Sequence, residues 1–551
     1  MRRAWFTAVA LGVLALGSPM LAACDKGGGR APCPAGKLCL EYGNSVDPQS
    51  IDPALASLVQ EDHILGDLFT GLTQDDPASK PVPGIATSWE TSPDGLTWTF
   101  HLRHSKWSDG TDLTADDFVY SARRAVDPKT ASEYANLLYV LKNGEAVNNG
   151  KAPLTALGVE APDPYTVRFH LEHPAPYFPY ITTHEVLYPV PRHVVDKWGE
   201  HWTEPQHWVS NGPYKMTYFK LGDRLHAVKN PYFYDAASVC IDQINYYPTT
   251  DSISAERRVK RGELDFSDDI QSNRIAFLRR PGQMPDYVRT NTWLGTTYVA
   301  FNDKRVPALR DVRVRQALAM AIDRDFITQK LMRGGQKDAW TLVPPGTANY
   351  PGGAEPHWST WSLAKRQAEA KRLLAAAGYG PGHALKFAVT MRNSADPMLI
   401  WPAVQSDWKD VGVQASLEPE EGQIAYADYR ARNFEVADAA WIADYNDPMT
   451  FLTLLKSTTG QQNYSDYANP AYDALLNKVD QETDTAKRGE YLRQAEHIAM
   501  EDATVAPIYH YVSKNLVSPR LTGWVPNLAD WHRTRYVCMA GHKPPADISP
   551  P

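Results

Sequence analysis

Two hydrophobic rhythms alternate along this chain, and that alternation limits the folds open to it more than any other feature. Leu96, Trp98, Phe100 and Leu102 alternate with Thr97, Thr99 and His101, the period-two pattern of a half-buried strand. Trp107-Ser108-Asp109-Gly110 then turns the chain, and Thr114-Ala115-Asp116-Asp117 forms a capping box that opens a helix through Phe118 and Ala122. The strand rhythm returns at Tyr165, Val167, Phe169 and Leu171. Further on, Val314, Leu318, Ala321 and Ile322 share one helical face, and Ser362 to Ala377 reads as another helix, stopped by Gly378. Strands and helices interspersed without a repeat period predict a mixed α/β fold. At 551 residues and 43% apolar content, the chain buries a large core and divides into more than one lobe.

The N-terminus reads as an export signal. Arg2 and Arg3 precede an apolar run from Ala4 to Leu16, then come Gly17, Ser18 and Pro19, and Leu21-Ala22-Ala23-Cys24 follows. That ending resembles a lipobox, in which cleavage before Cys24 leaves a lipidated cysteine at the mature N-terminus. Residues 1–23 are then the signal peptide and residues 24–37 a Gly-rich tether. No later segment has the ~18 uninterrupted apolar residues of a membrane-spanning helix. Once Cys24 is set aside, Cys33, Cys39, Cys240 and Cys538 remain, an even number in an oxidising compartment. The short Pro/Gly separation in CPAGKLC favours Cys33 with Cys39. Pairing of Cys240 with Cys538 requires the C-terminus to return to that region.

The formal net charge of −8, from 56 Lys and Arg against 64 Asp and Glu, argues against nucleic acid as a partner. The chain contains no G-x-S-x-G, H-E-x-x-H or phosphate-loop signature, its 16 histidines are scattered, and no Cys/His spacing suggests a metal. No catalytic role, cofactor or metal follows from it. Phe434 to Ala443 reads as a buried strand, yet it runs into Asp444 with Asp447 close behind. A carboxylate there is either a ligand contact or a turn and helix-cap residue, as Asn446, Asp447 and Pro448 would allow.

In order, TWTFHLRHSKWSDGTDLTADDFVYSARRAVDP, TASEYANLL, VSNGPYKMTYFKLGDRLHAVKNPYFYD, ALRDVRVRQALAMAIDRD, AEAKRLLAAAGY and WIADYNDPMTFL resemble the oligopeptide-binding proteins. These are the extracellular solute-binding components of peptide ABC importers. The resemblance implies a three-lobed periplasmic-binding-protein clamshell of type II with an extra lobe. Lobe I would be discontinuous, with residues 38–69, 195–293 and 512–551; lobe II would take 70–194 and lobe III 294–511. Ligand would be enclosed where the lobes close, in a monomer held to the outer side of the cytoplasmic membrane by lipid and served by permease subunits.

The resemblance also implies site residues. Asp444 would pair with the α-amino group of a bound peptide, a group charged at neutral pH that a closed cleft must not leave bare. Leu58-Val59-Gln60 and Ala440-Trp441-Ile442 would hydrogen-bond an extended ligand, and Tyr134 would line the same cleft. Trp441 and Tyr134 read equally as core aromatics. The chain departs from the family where the ligand's carboxylate is met. Asp438 stands at a position that is basic in relatives and Pro397 at another, so the carboxylate is either held differently, by Arg430 or Arg432, or not held at all. Asp438 would either add a second negative charge to the groove, ~20 Å along the strand from Asp444, or pair with an Arg in the wall. A family disulfide is missing too, its positions falling at Gly295 and Ile442. The expected function is capture of short peptides, with cell-wall (murein) peptides or dipeptides as the specialised alternative and an exported hydrolase or chaperone-like lipoprotein as the remote one.

Overall fold

The computed structural model describes residues 30–542. The expected signal peptide and residues 24–29 of the tether, Cys24 among them, lie outside the described residues.

The local signals become elements where their physics is local. The alternation at 96–102 is the strand Thr97–Leu102, with Trp98, Phe100 and Leu102 buried and His101 exposed. It sits inside a four-stranded antiparallel sheet between Ala86–Thr91 and Thr166–His170, with Val159–Asp163 at the edge. Helix Ala115–Val126 starts at Thr114, whose N–H donates to the Asp117 carboxylate at 2.9 Å, and it packs on this sheet. Helix Val312–Ala321 is capped by Asp311 and packs against Leu363–Ala376, which is capped by Ser362. Gly378 follows at φ +90°, a left-handed turn that only glycine makes without strain.

Apart from three two-stranded pairs, the other strands form one 11-stranded sheet. On one side of it lie Tyr214–Lys220, Arg224–Lys229, Gln243–Tyr247, Cys39–Gly43 and Phe266–Ser267; on the other lie Val436–Ile442, Lys386–Arg392 and Gln414–Glu420. Two long strands join the sides. Val288–Phe301 and Val505–Val517 pair antiparallel, from Val288 opposite Leu516 to Ala300 opposite Val505, with the register broken between Thr292 and Thr296. Gly295 lies at that break and directly opposite Ile442, and a Cβ on it would come within 2.5 Å of Tyr511 Cδ2. Close approach therefore requires glycine there. One apolar core, with Val299, Leu318, Trp401 and Trp408, fills the far side, and a smaller one with Val259, Ile275 and Leu516 lies at the start of Val288–Phe301.

Cys33 is bonded to Cys39, with Cα atoms 5.9 Å apart. Cys240 is bonded to Cys538 across a sequence separation of 298, because the C-terminal segment does return. Thr534 N–H donates to Asp67 at 2.8 Å, and Arg533 reaches Asp62 at 2.9 Å and Asp75 at 3.5 Å. Among the described residues no helix is long and apolar enough to cross a membrane.

Candidate ligand-binding site

The strand Val436–Ile442 carries the site. Gly295–Phe301 pairs with it along its whole length, but Lys386–Arg392 pairs with it only at Val436 and Ala437. From Asp438 to Ile442 the second edge meets no strand among the described residues, so its backbone groups are open to an added strand. Ala440 is buried, and Trp441 and Ile442 are half-buried.

Beyond the open edge lies Asp444, 9% exposed. Its N–H donates to Thr450 Oγ1 at 3.1 Å, and the Thr450 hydroxyl donates back to Oδ2 at 3.0 Å. Trp441 Nε1 donates to the same hydroxyl at 3.3 Å, so this aromatic helps to fix the carboxylate's support. No Lys, Arg or His pairs with Asp444 among the described residues. Burial pushes its carboxyl up to about 7, with the hydroxyls of Thr450 and Tyr134 pulling the other way. Its surroundings are acidic. The Glu185 carboxyl is raised well above its ordinary value, by burial first and then by the charge of Asp62, with Asp444 adding to it. Arg533 is engaged by Asp62 and Asp75. Such a place favours a cation brought from outside.

Asp447 does not share this role. It accepts the Met449 N–H at 3.0 Å and forms a fully buried pair with Arg488 at 2.7 Å, so the turn-and-cap duty falls on it and not on Asp444.

Tyr134 comes to Asp444 from a distant part of the chain, its ring 4.9 Å from that of His184. Neighbouring contacts join the same two regions. Tyr177 stacks on Tyr445 at 5.1 Å, Asn136 Nδ2 donates to Gln462 at 3.2 Å, and His173 lies 3.9 Å from Asp480. Thr450, Tyr177, Tyr445 and Glu185 were not among the residues singled out from sequence. Tyr445 and Thr450 lie within the quoted WIADYNDPMTFL stretch, whereas Tyr177 and Glu185 carry no sequence signal.

Two of the expected positions take a particular local form. Leu58 alone is extended, at φ −110° and ψ 144°; Val59 and Gln60 form the first turn of helix Val59–Leu68. The cause is Glu61, whose carboxylate accepts the N–H groups of Gln49, Ser50, Ser57 and Leu58 and fixes the helix start there. Asp438 is not a free groove charge either. It is fully buried, and Arg392 Nε donates to it at 2.8 Å, so the wall pairing holds. Burial works against the Arg392 charge, but Asp438 and the nearby Tyr426 and Tyr511 raise its pKa well above the ordinary value.

Of the two arginines left for the ligand's carboxylate, Arg432 is engaged with Gly460 O at 3.0 Å and Asp466 at 2.9 Å. Arg430, at the end of helix Gly422–Ala431, is half-buried and has no hydrogen-bond or ion-pair partner among the described residues. Pro397 is buried inside helix Ala395–Asp410 and contributes no charge. Among the described residues no group of three or more His, Cys, Asp or Glu is placed to hold a metal.

Comparison with known proteins agrees with this architecture. The periplasmic oligopeptide-binding protein OppA of Salmonella typhimurium is 37% identical over 497 residues, covering 89% of this chain and 90% of that protein. The murein tripeptide binding protein MppA of Escherichia coli superposes with a TM-score of 0.85 at 37% identity, over 92% of this chain and 99% of that one. The unliganded open form of MppA gives 0.74 at the same identity, over 92% of this chain and 98% of that one. The family model for bacterial extracellular solute-binding proteins, family 5 Middle, matches residues 80–463. With that match, and with identity sustained over most of its length, the chain belongs to the family 5 extracellular solute-binding proteins and has their type II periplasmic-binding fold.

Proposed function

We propose that this protein captures short peptides in a cleft between lobes and delivers them to an ABC permease, without catalysis. The observation that carries this reading is Asp444, a buried carboxyl with no protein cation among the described residues, beside a strand edge that those residues leave open from Asp438 to Ile442. A peptide supplies what both lack: an α-ammonium for the carboxylate and a backbone for the edge. The lobe division places the two crossings at 293/294 and 511/512, on the long strands beside Gly295 and Tyr511. Contacts such as Tyr134 with Asp444 and Tyr177 with Tyr445 then belong to the closed state, which the ligand stabilises by touching both sides. Export ends at Cys24, so the monomer is anchored by lipid to the outer side of the cytoplasmic membrane.

The second reading is a murein peptide as the specialised ligand. MppA, named for a murein tripeptide, matches this chain as well in identity as OppA does. Native mass spectrometry of protein purified from its own cells separates the two. A co-purifying mixture of peptides supports the general reading, and a single defined murein species the second. Consumption of added peptide, or a non-peptide ligand alone, overturns both.

A further inference from the structure

The open edge has two ends. Asp444 lies at one, and at the other, where pairing with Lys386–Arg392 has just stopped, Arg392 and Asp438 face each other. Arg392 Nε donates to Asp438 Oδ2 at 2.8 Å and Nη1 donates to the Tyr426 hydroxyl at 3.1 Å, with the Tyr426 ring 5.6 Å from the guanidinium carbon. Nη2 has no partner among the described residues and stays solvent-accessible, in a side chain that is 14% exposed. A guanidinium offers five N–H donors. Two are used inside the wall, and those on Nη2 are left at the surface.

We propose that Arg392 receives the ligand's C-terminal carboxylate, with Asp438 as the positioning residue that holds its guanidinium in place. This rests on the peptide reading above. A basic residue missing from the Val436–Ile442 strand is in effect supplied by the neighbouring strand. Asp438 occupies Nε, and Tyr426 supports the plane and one edge of the fork. An anion therefore meets a donor already fixed, and little side-chain freedom is lost on binding. Among the described residues Asp438 is the one carboxylate bonded to Arg392, and its second oxygen, Oδ1, is buried without a hydrogen-bond partner there. The other polar groups nearby are the hydroxyls of Tyr426 and Tyr511, the latter bonded to Thr297 at 3.1 Å. From Asp438 to Asp444 is at most ~20 Å of extended chain, so a peptide reaching from one end to the other has up to about six residues. Shorter peptides held at Asp444 do not reach Arg392.

Calorimetric titration with a peptide series of about two to eight residues, each as free acid and as C-terminal amide, tests this on the natural protein and on Arg392→Gln, Arg430→Gln and the double variant Arg392→Gln/Asp438→Asn. The double variant removes both charges of the pair, so that a buried Asp438 is not left bare. Amidation is expected to cost roughly tenfold or more in affinity for the natural protein at a length of about four to six residues, and little for dipeptides. In the double variant that cost disappears, while an N-acetyl group is still as damaging as before. The assignment is overturned if the amide penalty survives in both Arg392 variants, if Arg430→Gln alone abolishes it, or if amidation is harmless at every length. It is also overturned if amides bind better than acids, and that preference survives in Arg392→Gln but is lost in the double variant, which would make Asp438 the ligand contact. A natural protein that binds no peptide of either kind sinks the peptide reading itself.

Discussion

Replacing Asp444 with Ala should expose what that carboxylate does. Burial moves its pKa from 3.8 to about 7. At ~1.4 kcal/mol per unit, holding it ionised there at neutral pH costs about 4 kcal/mol. A ligand ammonium offsets that cost, and the variant leaves the ammonium unpaired instead, a loss of roughly 2–5 kcal/mol by comparison with truncated buried charge pairs. Affinity for a peptide with a free amino terminus should fall by about 30-fold or more. An N-acetylated peptide carries no such charge, so it should bind the natural protein poorly and lose much less on mutation. The diagnostic is this non-additivity. Titration calorimetry with one free and one acetylated peptide on both proteins measures it. If acetylation costs nothing in the natural protein, or if the mutation weakens both peptides alike, the ammonium assignment is wrong and Asp444 only supports its turn through Thr450.

The same shift makes closure of the empty protein depend on pH. Because the Asp444 pKa is raised, its protonated form is favoured in the closed state, so the stability of that state falls as pH rises from about 4 to about 7. Small-angle scattering of ligand-free protein should show expansion across that window, and Asp444→Asn should abolish most of it; equal expansion in both proteins would contradict the reasoning. The Cys240–Cys538 bond closes a sequence separation of 298, so Cys240→Ala/Cys538→Ala should lose on the order of 4 kcal/mol in denaturant unfolding, and a loss under about 1 kcal/mol would refute the role. Mass measurement of the native N-terminus should find a diacylated or triacylated Cys24, and an unmodified terminus elsewhere would refute lipid anchoring.

What the sequence determined by itself is local. The period-two run at 96–102 became Thr97–Leu102, the Thr114–Asp117 box opened Ala115–Val126, and Ser362 with Gly378 bounded Leu363–Ala376. Each depends on groups within a few residues of one another, so the pattern and its cause are the same stretch of chain. WIADYNDPMTFL marked the site because the strand, Asp444 and Thr450 are neighbours in sequence as well as in space. The tertiary structure decided the rest. Nothing near Asp438 announces that Arg392, 46 positions earlier, neutralises it, or that strand pairing stops at Ala437 and leaves an open edge. Nor could sequence tell that, among the described residues, Arg432 is engaged while Arg430 is not, or that Cys538 returns to Cys240. A charge's meaning depends on what lies within a few ångströms and how much water remains, and sheet order and lobe contacts set both across hundreds of residues.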